Sequence, residues 1–221
     1  ERTLDFARRY YRVCPEYFVI KIPLTPEGYL AVRTLHKEGM PINFTLGFSV
    51  RQNYLASRLS NPDYVNVFLG RLNQVVIENS MGGGELVGEK VTLATQKALN
   101  DVRKQYSEVS TKLIGASIRS GEQVAFLAGV DVLTIPPAAM EQFSKMQYTG
   151  SMGSHMEENI RPGINANHSQ AAKFSKLWEI PDSFVHFVDT LLKSTHLDTM
   201  SGEELELFCK ERSVDLFYPF S

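Results

Sequence analysis

FVIKIPLTP, residues 18–26, is an apolar run that ends where a helix is predicted to begin. The run is rich in β-branched residues and closed by Pro23. Thr25-Pro26 then places a capping threonine and a proline at the helix start. Such a run is typical of a strand buried on both faces of a parallel sheet. The sequence therefore predicts that Lys21, in the middle of the run, lies inside the protein.

Lys21 has two interpretations on this segment alone. Burial disfavours the ammonium form, so a buried lysine has a lowered pKa and more free amine, which can attack a carbonyl carbon to form a Schiff base. In the alternative, the strand lies at the edge of a sheet and the lysine side chain extends to water. The residues around Lys21 are needed to choose between a buried nucleophile and a solvent-exposed edge lysine.

Composition and charge limit the classes of partner. The chain has 221 residues, of which 43% are hydrophobic and 22% charged, enough for one large domain or two small ones. A net charge of −2 with interspersed acids and bases predicts no nucleic-acid partner. The sequence has no membrane-spanning apolar stretch and no signal peptide, and Cys14 and Cys209 lack metal-type spacing. We expect a cytoplasmic protein without membrane partner or metal.

Strand-like runs alternate with helical periodicity up to about residue 140. Strands are predicted at residues 18–24, 41–47, 64–70, 111–118 and 132–135. Helices are predicted at residues 2–12, from Pro26 to Gly39, from a Ser49/Gln52 capping box to before Asn61, around 91–106, and after a Ser120/Gln123 box. Strand, helix, strand at these spacings indicates βαβ units and hence a parallel sheet.

An open doubly wound sheet and a (β/α)8 barrel both fit this alternation. No G-x-G-x-x-G turn follows a strand, so the main signal of a dinucleotide site on an open sheet is lacking. A barrel is favoured because polar residues near the ends of successive strands would converge at its mouth: Lys21, Asn43, Asn66, Arg71, Ser117 and Arg119. A closed barrel needs eight strands, and five are visible.

Several linked motifs over residues 1–147 resemble the transaldolase family, of the class I Schiff-base aldolase superfamily. They are residues 20–28, residues 39–43 with Thr45, Phe48-Ser49 with Gln52, residues 68–71, residues 115–119 and residues 133–137. The resemblance implies that the five strands are strands 4–8 of a (β/α)8 barrel. Strands 1–3, with an aspartate and a glutamate that move protons, are then expected before residue 1.

The resemblance also implies the chemistry. Lys21 would form a Schiff base with a ketose phosphate, sedoheptulose 7-phosphate or fructose 6-phosphate. A three-carbon dihydroxyacetone unit would pass to an aldose phosphate, as in the non-oxidative pentose phosphate pathway, without a cofactor. Asn43 and Thr45, on one face of their strand, would hydrogen-bond the fragment's hydroxyl groups or a water. The alternative for this pair is a strand that exposes polar groups to solvent.

A phosphate site is expected after the later strands. Arg71 and Arg119 could grip phosphate oxygens bidentately, and Ser117 lies beside them in the family pattern. Without that pattern, each arginine would be expected to pair with a surface carboxylate. Asn66 and Phe68 are expected in the substrate pocket.

Three positions depart from, or refine, the family pattern. Phe68 matches transaldolases, whereas fructose 6-phosphate aldolases carry a tyrosine there, which favours transfer over cleavage. Asn66 replaces a small residue, and Asn73 stands where an acidic residue is common. The loop at residues 82–84, three glycines without a following lysine, is predicted to be a flexible connection and not a phosphate cradle.

Residues 148–172 are predicted to be a loop or linker, within which residues 153–156 resemble the scar of tag removal. His155 and His168 in it are interpreted as solvated. Residues 173–221 form a helical segment that packs on the barrel or a partner subunit, with Trp178 and His186 as packing residues.

Two classes of function remain open at this stage. The first is a Schiff-base transaldolase, with an aldolase that releases dihydroxyacetone as its variant. The second is a non-catalytic phosphosugar-binding protein on the same half barrel, without the two acids. Self-association into a homo-oligomer stays open as well.

Overall fold

A parallel sheet forms the centre of the protein in the computed structural model, which describes residues 1–146 and 152–217. Its strands are β1 (Ile20–Pro23), β2 (Ile42–Thr45), β3 (Tyr64–Phe68), β4 (Lys112–Ala116) and β5 (Val132–Leu133). They lie in the order β1-β2-β3-β4-β5, and all neighbours are parallel. The predicted α/β class with a parallel sheet is confirmed. Each observed strand lies within a predicted one and is shorter.

Helices follow the strands and continue beyond them. They are α1 (Arg2–Val13), α2 (Pro26–Lys37), α3 (Val50–Leu59), α4 (Leu69–Glu78), α5 (Val87–Gln105), α6 (Gly121–Phe126), α7 (Pro137–Lys145), α8 (Ser175–Trp178), α9 (Asp182–Leu192) and α10 (Gly202–Glu211), with a 3-10 turn at Ala171–Phe174. The Thr25 cap is as predicted, because its Oγ1 accepts from Gly28 N at 3.1 Å. The sequence did not predict α4 or α7.

The two faces of the sheet differ sharply. Ile22, Phe44, Val65 and Leu113 project towards the helices and are at most 2% exposed. The opposite face of β1–β3, here called the polar face, carries residues at the alternate positions: Lys21, Asn43, Thr45, Asn66 and Phe68. The helices therefore cover one face, and the polar face faces away from them.

The expectation that Lys21 is buried is wrong for the described residues, since its side chain is exposed. β1 pairs with β2 alone and so lies at the edge of the described sheet. Its buried residues are those that point towards the helices, Ile20 and Ile22. The alternative interpretation, an edge strand whose lysine reaches water, describes this structure.

The C-terminal helices pack around the outside of the first helical layer. α8 contacts α3 and α5, α9 contacts α3, and α10 contacts α2. A Cβ on Gly202 would lie 2.6 Å from Glu27 Cδ, so the start of α10 lies against α2. Behind α10, Leu216 O accepts from Gln52 Nε2 at 3.1 Å, which ties the end of the described chain to the start of α3.

The triple-glycine loop is held in place, contrary to the predicted flexible connection. Gly84 N donates to Gly163 O at 2.9 Å, and Gly163 N donates to Glu85 O at 2.7 Å. Asn165 N donates to Met81 O at 2.8 Å. Backbone hydrogen bonds therefore fix the loop to the segment around residue 163.

The predicted linker, residues 148–172, is described only from residue 152 onwards. His155 is partly exposed, and one side of its ring stacks on Phe126 with centroids 4.3 Å apart. Its Nδ1 lies 2.7 Å from Glu158 Oε1. Trp178 lies between Phe174, at 6.4 Å between ring centroids, and Lys90, whose Nζ is 4.5 Å from its ring centroid.

Both cysteines are free thiols. Cys209 lies on the buried side of α10, and burial raises the pKa of its thiol to about 12. In the described part of the chain, no helix is long and apolar enough to cross a membrane.

Candidate active site

Three oxygen atoms on the polar face are buried without a hydrogen-bond partner among the described residues. They are Asn43 Oδ1, Thr45 Oγ1 and Asn66 Oδ1. Thr45 is 6% exposed and Asn66 2%. Because buried polar side-chain atoms are normally hydrogen-bonded, a group of unpaired acceptors on one face marks a place where donors from a ligand could bind.

Strand register brings these residues beside Lys21. Lys21 pairs with Asn43 across β1 and β2, and Asn43 pairs with Tyr64 across β2 and β3. Thr45 and Asn66 lie two residues further along their strands, towards the same end of the sheet. The structure thus places the predicted lysine, Asn43, Thr45 and Asn66 together in one contiguous patch.

Asn53 supports the patch from α3, and the sequence did not point to it. It is fully buried, and its Nδ2 donates to Asn66 O at 3.1 Å. A Cβ on Gly47 would lie 2.7 Å from Asn53 Oδ1 and 2.3 Å from Asn66 O, so only glycine fits between them. An asparagine on the buried side of a predicted amphipathic helix was the available signal.

Phe68 lies at the end of the patch. Its ring is 6.1 Å from that of Phe48, centroid to centroid, in the loop between β2 and α3. The predicted pocket residues Asn66 and Phe68 therefore border the polar residues of β1 and β2.

Ser117, Arg119 and the start of α4 come together after β3 and β4. A Cβ on Gly70 would lie 2.2 Å from Ser117 O and 2.8 Å from Arg119 Nε, so glycine permits this close approach. Ser117 itself has a left-handed backbone, with φ of +64°. The loop that carries both residues is thus pressed against the residue before Arg71.

The two arginines do not converge on one point in this structure, although their partners are joined. Arg119 Nη2 donates to Gln74 Oε1 at 2.7 Å, and Gln74 Nε2 donates to Glu78 Oε1. Arg71 Nη1 lies 3.7 Å from Glu78 Oε2. Both guanidinium groups are exposed. Arg71 thus pairs with a surface carboxylate, as the alternative interpretation expected, and Arg119 with an amide.

The two predicted serines cap their helices. In a capping box, the side chain three residues later would accept from the serine's own backbone N–H. Here that glutamine accepts instead from the N–H of the residue before the serine. Gln123 N donates to Ser120 Oγ at 3.4 Å, while Gln123 Oε1 accepts from Arg119 N at 2.7 Å. In the loop before α3, Gln52 Oε1 likewise accepts from Phe48 N at 2.9 Å. The glutamine side chains thereby fix the backbone of the two loops that border the patch and the arginines.

The described residues include no group of three or more His, Cys, Asp or Glu side chains that could hold a metal ion. The predicted site residues that the structure describes supply one amine, neutral hydrogen-bonding groups and two guanidinium groups. Such a set suits a polyhydroxylated carbonyl compound that carries an anionic group.

The chain belongs to the transaldolase/fructose-6-phosphate aldolase family, whose model matches residues 1–186. Members of this family are (β/α)8 barrels.

Curated relatives agree with this assignment. A probable transaldolase of Caldicellulosiruptor saccharolyticus is 38% identical over 151 residues, 67% of this chain and 61% of the relative. One of Thermus thermophilus is 37% identical over 151 residues, 67% and 60% of the two chains. One of Nitrosopumilus maritimus is 34% identical over 126 residues, 56% and 50%. The chain thus spans about half to three-fifths of the length of the curated relatives it matches.

Proposed function

We propose that this chain carries the Schiff-base lysine and the substrate pocket of a transaldolase. Lys21 would bind a ketose phosphate, sedoheptulose 7-phosphate or fructose 6-phosphate, and pass its dihydroxyacetone unit to an aldose phosphate. The observation that carries the proposal is the patch of Lys21 with three unpaired buried oxygens, of Asn43, Thr45 and Asn66. Membership of the family supports it.

The reaction uses the iminium ion formed on the lysine as an electron sink. The lone pair of Lys21 Nζ adds to C2 of the ketose, and loss of water gives an iminium ion. The C3–C4 bond then breaks and its electron pair moves into the iminium to form an enamine, while the C4 hydroxyl loses its proton and becomes the carbonyl group of the departing aldehyde. The enamine carbon attacks the aldehyde carbon of the aldose phosphate, the new alkoxide takes a proton, and water hydrolyses the iminium to release the product.

The neutral side chains of the polar face would hold the fragment between the two halves of the reaction. Asn43 Oδ1, Thr45 Oγ1 and Asn66 Oδ1 are acceptors for its hydroxyl groups. Hydrogen bonds to buried groups that otherwise have no partner favour binding by more than an ordinary exchange with water, because no prior bond is broken.

The phosphate group would bind between α4 and the loop after β4. A phosphate offers bidentate acceptors to Arg71 and Arg119, and these charge-assisted bonds are stronger than the contacts the arginines make with Gln74 and Glu78. Ser117 would contribute its hydroxyl group. Binding is thus expected to reorient both arginine side chains.

We propose further that β1–β5 correspond to strands 4–8 of the family's barrel. Of strands 1–3, which would carry the aspartate and glutamate that transfer protons, strand 3 would then pair with the free edge of β1 and strand 1 with that of β5. Closure of the barrel would enclose the polar face, which bears Lys21.

The test is reductive trapping. Borohydride in the presence of fructose 6-phosphate is expected to add a covalent adduct to the chain, detected by intact mass. The Lys21→Ala variant should lose the adduct, whereas Lys112→Ala, which removes an exposed strand lysine at the start of β4, should keep it. Absence of an adduct on the unaltered chain would overturn the proposal.

One observation favours a second candidate, a non-catalytic phosphosugar-binding protein. Lys21 is exposed at an open sheet edge in this structure. Binding of fructose 6-phosphate without any trapped adduct would identify this candidate. The variant activity, aldol cleavage alone, would instead give dihydroxyacetone without an acceptor aldehyde.

A further inference from the structure

Glu89 is a buried carboxylate that pairs with no cation among the described residues. It lies in the first turn of α5 and is 3% exposed. Its Oε2 accepts from Asn73 Nδ2 at 2.9 Å, and its Oε1 accepts from Gln123 Nε2 at 2.7 Å. The helix N-terminus favours a negative charge at this position. Both oxygens are thus satisfied by amide donors, one from each side.

The two amides belong to the two elements that carry the arginines. Asn73 lies on α4, two residues after Arg71, and its Oδ1 also accepts from Gly88 N at 2.7 Å. Gln123 lies on α6, and its Oε1 holds the backbone N–H of Arg119 at 2.7 Å. A continuous hydrogen-bonded path therefore runs from α4, through the Glu89 carboxylate, to the backbone of the Arg119 loop.

We propose that Glu89 is a positioning residue that holds α4 and the Arg119 loop at the spacing at which one phosphate group binds both arginines. This inference rests on the proposed function, because it takes the two arginines as the phosphate site. Glu89 itself is enclosed beneath the loop and acts through Asn73 and Gln123.

The donors and acceptors of the path make the role testable, because a single amide cannot replace the carboxylate. In Glu89→Gln the new Oε1 can accept from Asn73, but the new Nε2 then faces Gln123 Nε2, donor against donor. If Gln123 turns its amide over, its Nε2 instead faces Arg119 N–H. Two facing donors thus either push α4 and the Arg119 loop apart or, when the amide turns over, leave the backbone N–H of Arg119 facing a donor instead of an acceptor.

A double substitution restores every bond. In Glu89→Gln with Gln123→Glu, residue 89 accepts from Asn73 and donates to residue 123, and the carboxylate at 123 accepts from Arg119 N–H. The carboxylate and the amide have then exchanged places along the same path. A residue needed only for its buried charge at position 89 would not be rescued by this exchange.

The experiment compares a phosphorylated with an unphosphorylated ketone. The full 221-residue chain is trapped with borohydride over a concentration series of fructose 6-phosphate and, separately, of dihydroxyacetone, which has no phosphate group. For Glu89→Gln the half-maximal concentration of fructose 6-phosphate should rise about tenfold, equivalent to one buried hydrogen bond, while that of dihydroxyacetone stays unchanged. The double variant should return to the unaltered value.

Two controls separate this role from general effects. Asp101→Asn removes a charge from the exposed side of the same helix, α5, and should change neither series. Calorimetric titration with inorganic phosphate should show the same tenfold weakening in Glu89→Gln and the same recovery in the double variant, independently of Schiff-base chemistry.

Each outcome assigns success or failure to one proposal. If both ketones label the unaltered chain but Glu89→Gln leaves the fructose 6-phosphate series unchanged, the positioning role is wrong and the proposed function stands. If neither labels it while phosphate binding follows the expected pattern, the Schiff-base function is wrong and the positioning role stands. If Glu89→Gln fails to fold, the double variant decides, because a folded double variant that still binds phosphate tenfold more weakly overturns the positioning role.

Discussion

A comparison of Thr45 with Thr95 separates a side chain that we propose binds a ligand from one that stabilises the fold. Its hydroxyl group is buried without a partner among the described residues, whereas that of Thr95 on α5 is also buried but donates to Val91 O at 2.7 Å. Replacing an unpaired buried polar group by an apolar group of the same shape leaves the free energy of unfolding unchanged or raises it. Replacing a hydrogen-bonded one lowers it. The two threonines therefore form a matched pair.

We expect Thr45→Val to raise the free energy of unfolding by about 0.5–1 kcal/mol, because the buried hydroxyl loses no bond. The same variant should trap fructose 6-phosphate at least several-fold less efficiently. Thr95→Val should lower the free energy of unfolding by about 1 kcal/mol and leave trapping unchanged. Urea unfolding and the trapping assay measure both quantities. A loss of stability in Thr45→Val equal to that of Thr95→Val would contradict the interpretation of Thr45 as a ligand-binding group.

At the scale of elements, Asp131 joins β4, α5 and the start of β5. Its carboxylate accepts from Leu113 N at 2.9 Å and from Arg103 Nη1 at 2.8 Å, while its own N–H donates to Gln96 Oε1. Burial raises the pKa of this carboxyl, but the hydrogen bonds from Arg103, Leu113 and Gln96 together lower it further, so that the net shift is downward. The ionised form is thus the one that holds these elements together.

Asp131→Asn is expected to lower the free energy of unfolding by about 1–3 kcal/mol at pH 7, because an amide N–H₂ then faces the Arg103 guanidinium. A depressed pKa in the folded state contributes stability above the unfolded value of 3.8, and this is lost as the pH falls through the folded value. The difference from the unaltered chain should therefore shrink below about pH 4.

Urea unfolding between about pH 7 and about pH 2.5 tests this expectation. The matched substitution Asp101→Asn, whose carboxylate makes an exposed pair with Lys104 on α5, should change stability by less than about 0.5 kcal/mol. A destabilisation by Asp131→Asn that is independent of pH would show that the carboxylate charge is not responsible.

Local signals predicted elements well and contacts between elements poorly. Thr25 and Ser120 cap their helices because a cap depends on three or four neighbouring residues. The helix α4 was missed because Leu69 and Gly70 continue an apolar strand run without a capping residue. Glu89 could not be recognised, since its partners lie 16 and 34 residues away along the chain.

The sequence predicted which residues form the candidate site, but it predicted only part of their spatial arrangement. Asn43, Thr45 and Asn66 alternate along strands, so their common face follows from the twofold period of a strand. The exposure of Lys21 depends on which strand lies at the edge, a property of the whole sheet that a single run cannot encode. The contacts of Arg71 and Arg119 with Gln74 and Glu78 depend in the same way on how α4 meets the loop after β4.

At the scale of the whole molecule, the edge of β1 that is unpaired among the described residues presents few backbone donors. Ile20 and Leu24 donate their N–H groups towards β2, to Pro41 O and Thr45 O. Alternate residues of a strand present their N–H groups to the same side, so Lys21 points its N–H outward and Pro23, at the next outward position, has none. Within Ile20–Pro23, the edge therefore presents one backbone donor.

Pro23→Val is expected to speed aggregation, because it adds a second outward donor and a β-branched side chain to an edge strand. Light scattering and thioflavin fluorescence at fixed protein concentration measure the rate, and urea unfolding checks that stability is unchanged. Pro41→Val, at the entry to β2 and away from the free edge, is the matched control. Equal rates for the two variants would show that the edge proline has no special part.

The proline that closes the apolar run thus has a consequence beyond ending a strand. Where this edge is unpaired, as among the described residues, Lys21 and Pro23 are expected to act as gatekeepers against fibril growth, because Pro23 gives a second copy no N–H with which to continue the backbone ladder. The residue that marks the end of this strand is thus expected to hinder the pairing of two such segments, while a strand of the same protein can still pair through the N–H of Lys21.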